Sequence, residues 1–314
     1  MIVAGMDEAG YGPKLGPFVA AAAAFCVPAE QDGVRADADA GIGAVRALLD
    51  DFPVRVADSK RLYSPKKGLA VLEKSALALL GAAGVKMPLT RGLLVETLFP
   101  GRSDEMTSLP WYAGVRDEPL PFECGLDELL DAVEKARTML AGRNIGIMTP
   151  CAAVVDERAL NRMWRERPGK ETASLYAFNY LSRKITAAAE RPVHMTMDQQ
   201  GGRRNYLPWL AECFPGAMAA SWRTDGGYAY HMRGKGVRLF VSPGADGLFP
   251  EVAAASIIAK YVREVLMRGF YSFWGERGVA PADGYAGSWR AFIQSAAPHI
   301  EKLGLDRGDI LRIH

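Results

Sequence analysis

Met1-Ile-Val-Ala-Gly-Met-Asp-Glu-Ala-Gly-Tyr-Gly-Pro-Lys-Leu-Gly-Pro17 opens the chain with a short apolar strand that runs into two adjacent carboxylates and then a glycine-rich turn. Ile2, Val3 and Met6 are spent on burial, so Asp7 and Glu8 fall at the strand end, where carboxylates at the rim of a sheet can hold a hard cation. Gly10, Gly12 and Gly16 permit backbone angles and close approaches that a Cβ forbids, so main-chain amides of the turn could come up to a ligand. A solvated surface turn uses the same residue types, and this stretch alone leaves the two readings level.

Working outward, Phe18 to Val27 reads as a buried strand, and the short connection predicts an antiparallel neighbour of the first. Residues 28–41 read as a loop. Asp58-Ser59-Lys60 precedes a helix expected from Ser64 as N-cap and Pro65 as first residue to about Leu80; on its own it is a polar turn before a helix. Residues 100–122, rich in proline and glycine and without a sustained period, read as an inserted loop. Helical spacing recurs over 125–140, after Asn161, and over about 170–189.

His194-Met-Thr-Met-Asp198 repeats the opening pattern, a short strand that ends on an acid and is followed by Gly201 and Gly202. Residues 217–242 read as a hairpin region of two or three strands, on which Arg223, Arg233, Lys235 and Arg238 give a basic face; a charge-protected sheet edge would look the same. Asp246 stands in a loop before a helix expected over 251–267. Ser256, Lys260 and Arg263 share one face of that helix, predicted to be available, while Ile257, Ile258, Tyr261, Val262 and Val265 form a core face. Tyr285 lies in a glycine-bracketed turn, Asp283 to Trp289.

With 38 basic and 36 acidic side chains, composition does not announce a nucleic-acid binder, and any basic surface has to be local. Cys26, Cys124, Cys151 and Cys213 are scattered without a Cys-x-x-Cys pair, which fits neither a zinc site nor a disulfide framework. Reduced thiols in a cytoplasmic setting are the expectation. The start lacks a leader pattern, and the apolar run 18–27 is about half of a bilayer span.

Asp7, Glu8, Asp198 and Asp246 thus lie at strand ends or before a helix. Converging at one sheet edge, they would suit two divalent ions about 3.5–4 Å apart, which activate a water and stabilise an in-line phosphoryl displacement. The order and flanks of the acids carry a resemblance: Met6-Asp-Glu-Ala-Gly-Tyr-Gly-Pro-Lys-Leu-Gly-Pro17, Val56-Ala-Asp-Ser-Lys60, Met197-Asp198, Asp246-Gly-Leu-Phe-Pro250 and Ala253-Ala-Ala-Ser-Ile-Ile-Ala-Lys-Tyr-Val-Arg263. They resemble the type 2 ribonucleases H, the ribonuclease HII family, with its D-E-A-G-R-G-P-x-x-G-P opening, its D-S-K loop and its A-A-A-S-I-x-A-K-x-x-R helix. The resemblance spreads from residue 5 to about 290.

The resemblance implies an α/β, ribonuclease H-like fold: a mixed five-stranded sheet flanked by helices. Residues 1–270 would form the catalytic domain, with insertions near 100–122 and 217–242, and 271–314 a helical C-terminal extension. It implies hydrolysis of RNA in RNA–DNA hybrids, or at ribonucleotides embedded in DNA, leaving a 3′-hydroxyl and a 5′-phosphate, with Mg²⁺ or Mn²⁺ at a two-metal site. Asp7, Glu8, Asp198 and Asp246 match the family's catalytic acids and metal ligands, and Tyr285 the tyrosine that packs on the ribonucleotide sugar. Gly10, Tyr11 and Gly12 would read the 2′-hydroxyl, and Lys60, Ser256, Lys260 and Arg263 would meet phosphates. The expected partner is a nucleic-acid duplex, with no membrane, and the expected state a monomer.

One departure stands at the centre of the opening motif. Tyr11 replaces the family's arginine and cannot make a bidentate charged contact to a phosphate. This puts the preference for single embedded ribonucleotides in question and motivates a rival reading, a hybrid-binding protein of the same fold with weak turnover. A DNA-only nuclease of the wider superfamily is a third, less favoured because of Tyr285 and the glycine turn. Extra sequence between Asp198 and Asp246 makes Asp225 a weaker candidate for the fourth acid.

Overall fold

The computed structural model describes residues 1–314 apart from 29, 32–33, 36–37, 88, 102–108, 114–115, 170, 188, 190, 286 and 314. Its centre is a mixed sheet of strands β1 (Ile2–Ala9), β2 (Phe18–Cys26), β3 (Gly146–Ile147), β4 (Cys151–Val155), β5 (Val193–Asp198), β6 (Met218–Thr224), β7 (Gly227–Arg233) and β8 (Val237–Ser242). The order is β6-β7-β8-β5-β1-β2-β3, with β4 also paired to β2. As expected, β2 runs antiparallel to β1, Asp7 lying opposite Ala21. On the other side β5 runs parallel to β1, with Met6 opposite Met197.

β1 and β2 are buried almost throughout because helices cover both faces. Successive side chains alternate between faces, and two neighbours on β1 show it. Met6 turns toward the Glu171–Ala187 helix, where Ser182 Oγ lies 3.7 Å from its sulfur. Gly5 turns toward the Pro250–Gly275 helix so closely that a Cβ would sit 2.1 Å from the Glu251 carbonyl carbon. Only glycine lets that helix start against the strand.

Four features differ from the sequence reading. The sheet has eight strands rather than five, and residues 218–242, expected as a hairpin region of two or three strands, contribute three of them. They form the β6–β7–β8 meander, which joins the sheet by parallel pairing of β8 with β5, from Val237 opposite Val193 to Ser242 opposite Asp198. The inserted loop near 100–122 falls partly outside the described residues. Its described part includes a short helix, Pro110–Ala113, that buries Trp111 and Tyr112 in the core.

The Pro250–Gly275 helix continues past the expected boundary at 270, and its Phe270 stacks on Phe292 of the Ser288–Lys302 helix at 5.3 Å. The C-terminal residues therefore share the one core. Finally, the helix expected from Ser64 starts at Ala70. Its first amides are held by Glu123, whose Oε2 accepts from Leu69 and Ala70 at 2.6 and 3.1 Å, while Asp58 caps a separate short helix, Ser59–Leu62. Among the described residues, no helix is long and apolar enough to cross a membrane.

Candidate active site

Asp7 and Asp198 stand at the C-terminal ends of the adjacent parallel strands β1 and β5, the edge at which open α/β sheets present ligand sites. The next two turns of chain after β8 bring in a third acid. Asp198 Oδ1 accepts the Ala245 N–H at 3.0 Å, which pins the Ala245–Leu248 helix, and with it Asp246, to the end of β5. Glu8, next to Asp7, completes the group. The four carboxylates brought together here are the four singled out in the sequence.

Their charges act on one another. Burial pushes Asp7 up to about 7; a hydrogen bond from Ser256 works against this, and the charges of Asp246 and Asp198 add to it. Glu8 is raised well above the ordinary carboxylate range by burial and then by Asp7 and Asp198. Asp246 is raised by burial and by Asp58, with Lys60 opposing. Such a set of enclosed acids is strained by mutual repulsion unless a cation or protons relieve it.

Whether divalent ions suit these residues can be judged from the donors themselves. Glu8 Oε2 is buried without a hydrogen-bond partner, an oxygen left for a ligand the protein does not supply. All four donors are hard carboxylate oxygens, the type Mg²⁺ and Mn²⁺ take. Among the described residues no three such groups close on one metal-sized position. That agrees with the habit of Mg²⁺, which binds through one or two carboxylates and fills its shell with water and substrate phosphate. The residues fit a divalent ion of that kind.

The Asp58-Ser59-Lys60 segment borders the cluster. Lys60 Nζ lies 3.6 Å from Asp246 Oδ2 with its side chain 82% exposed, a contact weak enough in water to be exchanged for a phosphate. Ser59 is buried and its hydroxyl meets Ser256 Oγ at 3.0 Å.

The glycine turn is held from below and faced from above. Gly10 has φ +84°, and a Cβ there would lie 2.4 Å from Arg263 Nε. Lys14 N–H donates to the Gly284 carbonyl at 2.9 Å, which docks the 283–287 turn on the glycine turn. Tyr285 then lies over Gly12, its Cε1 3.1 Å from where a Gly12 Cβ would be, and remains half-exposed. Tyr11 points elsewhere. Its ring meets Phe18 edge-on at 6.5 Å, and its hydroxyl lies beside Gly201.

Two expectations about the long helix are corrected. The face bearing Ser256, Lys260 and Arg263 is not an open phosphate-binding face: Ser256 and Arg263 are buried. Arg263 donates to the carbonyls of Pro17 and Leu15 at 3.3 and 3.2 Å, and Lys260 pairs with Glu264 at 2.5 Å. The helix is almost wholly buried because the sheet lies on one side and the glycine turn and the Ala70–Ala82 helix occupy the others.

Sequence reasoning missed Arg312. This fully buried guanidinium donates to the carbonyls of Gly10 and Gly16, and burial lowers its pKa to about 9, helped by Arg263. Asn161, also buried, clamps the same tail by hydrogen bonds to Gly308, Leu311 and Ile313. Nothing in the sequence around Arg312 separates it from a surface arginine.

No family model matches the chain. Over 57 residues it is 44% identical to the ribonuclease HII of Hyperthermus butylicus, a match that spans 18% of this chain and 24% of that protein. The matched stretch is thus about a quarter of the relative's length. Among solved structures, the PCNA–RNase HII complex from Archaeoglobus fulgidus gives a TM-score of 0.44 at 17% identity, covering 100% of this chain and 95% of that one. The ribonuclease H2 of Pyrococcus horikoshii gives 0.40 at 15%, covering 99% and 92%. Bst-RNase HIII in complex with Mn²⁺ gives 0.46 at 16%, covering 99% and 66%. At these TM-scores the superpositions carry no argument, and the fold stands on the chain's own strand register. In sequence, the chain is similar to ribonuclease HII.

Proposed function

We propose that the chain is a divalent-metal-dependent endonuclease that hydrolyses the RNA strand of RNA–DNA hybrids, and ribonucleotides embedded in DNA, leaving 3′-hydroxyl and 5′-phosphate ends. The observation that carries the reading is the meeting of Asp7, Glu8, Asp198 and Asp246 at one sheet edge, beside a glycine turn faced by Tyr285. Bound Mg²⁺ or Mn²⁺ supplies positive charge that lowers the pKa of a water and offsets charge on phosphoryl oxygens.

The chain's own residues have separate tasks in this reading. Ser256 and the Ala245 amide hold Asp7 and Asp198 in place. Gly10 and Gly12 let the backbone approach the sugar, and Tyr285 packs against it, so that the 2′-hydroxyl separating RNA from DNA is sensed there. Exposed Lys60 meets a phosphate. Arg263 acts on the turn through the carbonyls of Leu15 and Pro17 rather than on substrate, and Lys260 stays with Glu264. The chain works as a monomer in the cytoplasm.

Tyr11 favours a second reading, a hybrid-binding protein with weak turnover, because a phenol packed against Phe18 does not replace an arginine at a phosphate. One experiment addresses both. Purified protein is incubated with Mg²⁺ or Mn²⁺ and labelled RNA–DNA hybrid, single-ribonucleotide DNA, duplex RNA and duplex DNA. Cleavage of the first two is expected, falling more than about 100-fold in Asp7→Asn and Asp198→Asn, since even residues that merely support metal ligands cost about 10–100-fold. Hybrid binding without cleavage favours the second reading, and cleavage of plain DNA overturns both.

A further inference from the structure

We propose that the open face of β6, β7 and β8 is a second nucleic-acid surface, which holds a single strand by stacking bases on Trp222 and contacting phosphates through Arg233 and Arg238. The proposal goes beyond the acid cluster and does not depend on cleavage there.

Alternation along the meander creates the surface. Tyr230, Met232, Val237, Leu239 and Val241 are buried on one face of these strands, which leaves the neighbouring positions on the other. The register aligns those positions in rows. One row runs Trp222, Ala229, Phe240, Thr196 across four strands; the next runs Ala220, His231, Arg238, His194. Arg233 extends the second row's side of the face, opposite Met218. The first row is an aromatic floor with a small residue between two rings, and the second carries the permanent cation Arg238 between two imidazoles. Residues two apart on a strand are roughly 7 Å apart, a distance that one nucleotide spans from base to phosphate.

The Pro250–Gly275 helix covers this face of the sheet at Gly5 of β1, but the face is open farther out. There it forms the floor of a cleft of about 460 Å³, walled by Ile42 and Arg46 of the Ala38–Asp50 helix and by Phe249. Arg46 spends one N–H on the Leu248 carbonyl, a neutral acceptor, so its charge adds to that of Arg238. Among the described residues, Asp39 is the one acid lining the cleft. Trp222 is 48% exposed and Met218 71%, apolar surface on the same face as Arg233 and Arg238.

A single-stranded polyanion satisfies both rows at once. Sequence-tolerant binding of such strands combines aromatic platforms with a positive groove. Arg46 of the cleft wall holds Leu248, two positions beyond Asp246.

The test is binding of a fluorescein-labelled oligodeoxythymidylate of about 16 nucleotides to the full chain in EDTA, read by anisotropy. Trp222→Ala is expected to weaken binding about tenfold and Trp222→Phe to preserve it. Arg238→Ala is expected to weaken it and to flatten its dependence on salt. Unchanged affinity in Trp222→Ala overturns the proposal. So does a wild-type dimer that Trp222→Ala converts to monomer while oligonucleotide binding stays the same, which would make the face an interface between copies. Because binding is read without metal or turnover, failure of the nuclease reading leaves this result intact.

Discussion

Ser256 Oγ lies 3.0 Å from Ser59 Oγ, 197 positions earlier in the chain, and also hydrogen-bonds the Asp7 carboxylate. This contact ties the end of β1, the long helix and the Asp58-Ser59-Lys60 segment into one unit. A carboxylate only accepts and a hydroxyl has one proton, so Ser256 serves an ionised Asp7 only while it accepts from Ser59.

Ser256→Ala is expected to lower stability by about 1–2 kcal/mol, the cost of orphaning a buried polar group, and to lower kcat more than it raises KM. Ser59→Ala should cost less. In the double variant the two losses should not add, because both act through Asp7. Urea unfolding and single-turnover cleavage measure the two effects separately.

Arg312 is a positioning residue for the glycine turn. Arg312→Ala leaves the Gly10 and Gly16 carbonyls without their donor and is expected to cost about 1–3 kcal/mol for each orphaned acceptor. A merely structural role would change stability alone. The expected signature is a raised KM for ribonucleotide-containing substrate in the protein that remains folded, partly restored by Arg312→Lys.

Glu157 gives stability a pH dependence remote from the acid cluster. It is buried beside Tyr112, Asp156 and Arg312, and burial raises it from 4.5 to about 8, with Asp156 adding to the rise. Between those values the folded protein keeps a proton that the unfolded chain has released, so stability falls as pH rises through about 4.5 to 8. Below that window the penalty is absent. Glu157→Gln is therefore expected to gain stability relative to wild type as pH rises across the window, as read by urea midpoints. Equal pH slopes for the two proteins would contradict it.

Tyr11→Arg restores a charge at the centre of the glycine turn. The expected outcome is a shift of preference toward a single embedded ribonucleotide over long hybrid, measured as a ratio of kcat/KM values. If activity and preference both stay unchanged, position 11 does not set selectivity.

The acids were legible in the sequence because each marks the end of a local pattern: Asp7 and Glu8 after an apolar run, Asp198 after another, Asp246 before a helix. The antiparallel β1–β2 pair was legible from the short connection between two apolar runs. The meander was legible as a hairpin region but not its place in the sheet, because its alternation, Val237, Leu239 and Val241 against Arg238 and Phe240, fits a half-covered strand in any sheet. Its parallel partner, β5, lies about forty residues away and leaves no local signal.

Residue type, spacing and motif order by themselves determined which carboxylates to watch, the two strands that frame them and the likeness to ribonuclease HII. Only the tertiary structure decided what surrounds those carboxylates. It buried Ser256 and Arg263 on a helix face that periodicity presented as open, and it brought Arg312 from the end of the chain under Gly10 and Gly16. The physical reason is that periodicity reports how a segment divides its own faces, whereas burial depends on what other segments pack there. For a cationic side chain such as Arg312, the acceptors that make burial tolerable are backbone carbonyls hundreds of residues away, and any residue type could have supplied them.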